Sequence, residues 1–112
     1  MNKNKKLWYV ITCHHKHLQL ETEETFLVRL VKTLDGAKAL LQSAYEDAKS
    51  NKENRFGIVY SDPKWLDENH YTLQLKSDVN INGWLHSTII ETYEIHDEWN
   101  FNIFSNNAWL LN

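Results

Sequence analysis

One stretch of this chain repeats with the period of a helix, while the segments around it repeat with the period of a strand. Ala37, Leu40, Leu41, Ala44, Tyr45 and Ala48 fall at i, i+3, i+4, i+7, i+8 and i+11. Lys38, Gln42, Glu46, Asp47 and Lys49 lie outside that stripe, which is the signature of a helix with one buried face. Thr33 is placed to cap its N-terminus, and Asp35 puts a negative charge where the helix dipole favours one. Lys49 followed by Ser50-Asn51 supplies the stop. Gly36 is the one poor helix former in the segment.

The flanking segments read as strands. Leu7–Cys13 is rich in β-branched and aromatic residues, and a second apolar run, Phe26–Val31, follows the polar stretch Gln19–Glu24. The two are expected to form a hairpin with its tip near Lys16–Gln19. After the helix, Phe56–Tyr60 is a short apolar run and Ser61-Asp62-Pro63 reads as a turn. His70–Lys76 alternates, with Tyr71, Leu73 and Leu75 on one face. Asp78–Gly83 is a turn-prone connection. Thr88–Ile95 sets Ile89, Tyr93 and Ile95 on one face with Glu91 among them, and Asn100–Phe104 reads as a final strand. The expected fold is a single α+β domain over residues 1–112. Its element order is β-β-α-β-β-β, an antiparallel sheet of about five strands with one helix on one face. Met1–Lys6 is expected to be flexible and Trp109-Leu110-Leu111 to dock. One helix covers one face, which leaves the other for solvent or a partner.

Length and composition narrow the class of function. The 112 residues include three glycines and one proline, and no stretch approaches the roughly 20 apolar residues of a membrane span. The apolar run after the basic N-terminus is too short for a secretory leader. Cys13 is the sole cysteine, so no intramolecular disulfide forms. A cytoplasmic protein without a membrane segment is expected. Charge is divided unevenly. All 12 Lys and Arg precede Ser77, alongside ten acids; the remainder carries Asp78, Glu91, Glu94, Asp97 and Glu98 and no basic residue. Direct nucleic-acid binding is disfavoured by the formal net charge of −3.

No strong catalytic motif is present, and a non-catalytic protein is expected. There is no phosphate-binding glycine loop and no nucleophile elbow. Asp62-Pro63 with Gln74-Leu75-Lys76 lacks the second carboxylate of a magnesium-dependent nuclease. His96 and Asp97 are adjacent, so on a strand they point to opposite faces. Two constellations remain. In the first, Glu91, Glu94, Asp97 and Glu98 flank Tyr93 and Trp99, a pattern of aromatic anchors with a charged rim that suits a basic surface on a protein partner. The competing reading has the aromatics filling the core and the carboxylates merely solvated. In the second, Cys13-His14-His15-Lys16-His17 sets His15 and His17 about 7 Å apart on one face, where they are able to share a zinc ion. A further ligand would come from His70, His86, His96 or a carboxylate. A structural homo-oligomer, such as a homodimer, through the uncovered sheet face is a third alternative.

The early hairpin, the helix opening Thr33-Leu34-Asp35-Gly36-Ala37-Lys38, and Gly83-Trp84 leading to Ile89-Ile90-Glu91-Thr92-Tyr93-Glu94-Ile95 together span about 85 residues. In these the chain resembles small phage and mobile-element proteins of low-GC Gram-positive bacteria, a group that includes anti-CRISPR inhibitors. The resemblance implies a compact, acidic, non-catalytic binder of a host nuclease's nucleic-acid-handling surface. It assigns no individual site residue.

Overall fold

A computed structural model of the chain describes residues 8–51 and 60–97. The expected tail Met1–Lys6, the run Phe56–Val59, the strand Asn100–Phe104, the docked Trp109–Leu111 and the interface candidates Glu98 and Trp99 lie outside the described residues. Within them the elements are β1 (Tyr9–His17), β2 (Thr22–Val31), α1 (Leu34–Lys49), β3 (Ser61–Trp65), β4 (Thr72–Ile81) and β5 (Trp84–Asp97). The five strands form one antiparallel sheet in the order β2-β1-β5-β4-β3. The α+β class and the β-β-α-β-β-β order are those expected. No helix among the described residues is long and apolar enough to cross a membrane.

The helix begins and ends where its sequence directs. Thr33 Oγ1 accepts the Gly36 amide at 2.9 Å, satisfying a donor that has no partner within the helix. At the other end Ser50 N donates to Glu46 O and Asn51 N to Ala48 O, with Asn51 in the left-handed region at φ 58°. Gly36 is no defect. A Cβ there would meet Thr33 Oγ1 at 2.9 Å and Val31 Cγ1 at 3.0 Å, so the cap itself excludes a side chain. Ala37, Leu41 and Ala48 pack with Ile11, Tyr60, Leu73 and Leu75 to make the core.

The strands run further than their apolar runs. β1 extends through His17 and β2 starts at Thr22, because polar cross-strand contacts replace apolar ones: His14 Nδ1 lies 2.7 Å from Thr25 Oγ1, and His14 Nε2 lies 2.8 Å from Glu23 Oε1. The expected turn at Ser61-Asp62-Pro63 is instead the start of edge strand β3. There Pro63 needs no ladder partner, and Asp62, at φ 51°, takes up the register shift between Ser61 and Lys64. The connection after Lys76 also narrows. β4 continues to Ile81, and the turn is the two residues Asn82-Gly83, both at positive φ (53° and 84°), the geometry that matches the twist of a hairpin.

β5 is the strand that joins the sheet. It pairs with β1 from Asp97 to Ile89 and with β4 from Glu94 to Trp84. Alternation then places Ile11, Cys13 and His15 on the face that carries the helix, with Tyr93 and Glu91 directly across. Beyond Thr88, whose carbonyl accepts the Leu18 amide at 2.9 Å, β5 has only β4 beside it among the described residues. Trp84–His86 thus lie on a two-stranded ribbon, while Ser87 at its base is buried.

Candidate functional site

Glu91 is the residue around which the helix-side face is organised. It sits on β5 opposite His15 on β1 and Leu75 on β4, and it is 3% exposed. A buried carboxylate needs partners for both oxygens. Tyr93 donates its hydroxyl to Oε1 at 2.9 Å, and Oε2 pairs with His15 Nε2. Cys13, Tyr60 and Tyr93 surround the same group, and each is driven toward its neutral form. Burial pushes the Cys13 thiol well up from its ordinary 9.0, and the Glu91 charge adds to it. Burial and then a hydrogen bond to Glu91 raise the Tyr60 phenol in the same way. Tyr93 is raised by burial, with the Cys13 and Glu91 charges contributing. Each of these three groups therefore resists ionisation in the desolvated cluster.

The ligating atoms of Cys13, His15 and Glu91 lie within 4.8 Å of one another. His15 is held edge-on against Phe26, with ring centroids 4.8 Å apart. His17 lies next along the same strand face, its ring 6.0 Å from that of His15, and its Nδ1 is buried with no hydrogen-bond partner. Of the zinc ligands expected from sequence, His15 and His17 are therefore neighbours on one face as the period of two required. The carboxylate beside His15 is Glu91. The other imidazoles are elsewhere: His70 stacks on Trp65 at 4.5 Å, His86 is on the projecting ribbon, and His96 is 3.2 Å from Thr12 Oγ1 on the opposite face.

Among the described residues, the acidic interface expected from sequence does not form one surface. Glu91 is internal, and Tyr93 turns its hydroxyl into the same cluster. Glu94 points to the face away from the helix, 3.6 Å from His96, while Asp97 follows the parity of Glu91. Strand alternation separates what sequence adjacency grouped.

Sequence reasoning passed over the tip of the β4–β5 ribbon. Trp84 is 79% exposed and lies directly opposite Ile81, which with Leu85 is more than half exposed. Leu18 and Leu20 are exposed on the neighbouring β1–β2 turn. The signal was available in Ile81-Asn82-Gly83-Trp84, since Asn-Gly between apolar residues marks a tight hairpin whose flanking side chains share a face.

Compared with known proteins, the chain matches no family, no curated protein and no solved structure.

Proposed function

We propose that this chain is a small, non-catalytic protein-binding module that docks on a basic, nucleic-acid-binding surface of a partner protein. In this reading it acts as an inhibitor of the kind found among phage anti-defence proteins. The observation that carries it is the exposed apolar tip of the β4–β5 ribbon. A tryptophan at 79% exposure beside Ile81 and Leu85 is costly to leave in water, and a protruding ribbon delivers such side chains into a partner's pocket. Charge supplies the choice of partner. Residues from Ser77 onward hold no lysine or arginine, and of their five acids Glu91 is buried and adds nothing to the surface. Asp78 is exposed on β4 close to the ribbon and Glu94 at the far end of β5, so a cationic surface is attracted and a polyanion repelled.

The test is a comparison of Trp84→Ala with the wild-type protein in a pull-down from bacterial lysate. The wild type is expected to retain a basic nucleic-acid-binding protein, with capture falling as salt rises. Trp84→Ala is expected to lose it while melting at an unchanged temperature. Equal capture by both proteins, or capture insensitive to salt, refutes the proposal.

A further inference from the structure

The two edges of the sheet are unequal. At one of them β3 is five residues long, carries Pro63 and is interrupted by the register shift at Asp62, so it offers little for another strand to pair with. At the other, β2 is ten residues long with neither proline nor glycine, and among the described residues only β1 lies beside it. Its outer row of amides and carbonyls is a template for a further strand.

The side chains of β2 decide which strand that is. Glu24 lies opposite His15, Phe26 opposite Cys13 and Arg29 opposite Ile11, so all three share the helix-side face, the β-bulge shifting the parity between Phe26 and Arg29. Counted along β1, Phe26 stands midway, with Glu24 and Arg29 two positions to either side. All three are exposed, and the His15 ring holds Phe26 edge-on. Among the described residues neither Glu24 nor Arg29 has an ion-pair partner within the chain. An antiparallel copy of the same strand, turned about a two-fold axis at Phe26, sets Phe26 against Phe26 and the Glu24 of each copy against the Arg29 of the other. One patch is then used twice, opposite charges meet directly across the ladder, and an exposed ring is covered. The extra residue Val28 falls once on each side of the axis, which keeps the two halves in step. We propose that β2 pairs with β2 of a second copy of this chain, joining the two sheets into one across a two-fold axis. The axis lies at the sheet edge and not on the uncovered face. It turns the two β4–β5 tips in opposite directions and leaves both free, so the dimer stands or falls separately from the docking of Trp84.

Sedimentation velocity of the full-length protein from about 1 μM to about 1 mM is the test. The mass is expected to rise to twice that of one chain. Arg29→Glu and Glu24→Arg each set like charges opposite one another at both ends of the interface, and each should weaken association at least about tenfold. The double variant Glu24→Arg/Arg29→Glu exchanges the charges and should bring affinity back to within about threefold of the wild type. Trp84→Ala should dimerise as the wild type does. These positions are all exposed, and circular dichroism verifies the fold of each variant. A chain that stays monomeric at the top of the range overturns the proposal. So does a dimer that either single reversal leaves intact, that the double reversal fails to restore, or that Trp84→Ala disrupts.

Discussion

Replacing Glu91 by glutamine tests the internal placement of this residue most directly. The change preserves shape and leaves an oxygen to accept the Tyr93 hydroxyl, but it puts an amide N–H where Oε2 faces His15 Nε2. A buried polar group left without its partner costs about 1 to 3 kcal/mol. The His15 side chain keeps 21% of its exposure and is able to regain some hydration, whereas that of Glu91 keeps 4%. A loss of about 2 kcal/mol is therefore expected. For a domain of this size that corresponds to a fall in Tm of roughly 8 to 16 °C. Glu94→Gln is the control. Its side chain is half exposed beside His96, and a surface pair of this kind is worth about 0.5 kcal/mol or less. Urea denaturation followed by tryptophan fluorescence and by circular dichroism measures both. If the two variants lose similar stability, Glu91 does not anchor a desolvated cluster and the reasoning fails.

Three further outcomes follow from the packing. Gly36→Ala normally gains about 1 kcal/mol in a helix, but here the new methyl meets Thr33 Oγ1 at 2.9 Å, so urea denaturation should show a loss of up to about 1 kcal/mol; any stabilisation contradicts the contact. Leu73→Ala removes a fully buried side chain that faces Tyr93 and should cost about 3 kcal/mol in the same assay, with a loss below about 1 kcal/mol counting against the assigned core. The folded-state pKa values of Cys13, Tyr60 and Tyr93 all lie above their ordinary 9.0 and 10.0. Their stabilisation is thus complete below about pH 9 and is lost as the unfolded chain ionises them above it, so the denaturation midpoint should fall steadily from about pH 9 to about 11. A flat profile across that range rules the burial out.

Local pattern was enough for the helix. Six apolar residues at helical spacing, a threonine cap and a terminal asparagine specify it without reference to anything distant. Strand ends were harder to read, because His14, Glu23 and Thr25 extend the first hairpin through contacts between residues that a linear pattern sees only as polar. The site lay furthest from view. That Cys13 and His15 meet Glu91 depends on β5 lying beside β1, a pairing across more than 70 positions that no local signal encodes. One clue was present even so. Glu91 shares its parity with Ile89, Tyr93 and Ile95, and an acid in an otherwise apolar row is a candidate for burial with a partner. Charge counting along the chain assigned it outward because it ignored that alternation.

The sheet order also governs how the molecule comes into being. With β5 between β1 and β4, the hairpin β1–β2 and the pair β3–β4 have no ladder between them until the final described strand arrives. During synthesis β5 must leave the ribosome before two unfinished half-sheets with open flanks are joined. Folding is then a single late closure, and a nascent chain stalled before residue 84 is a substrate for chaperones and proteases, with no partly competent form of the protein to release.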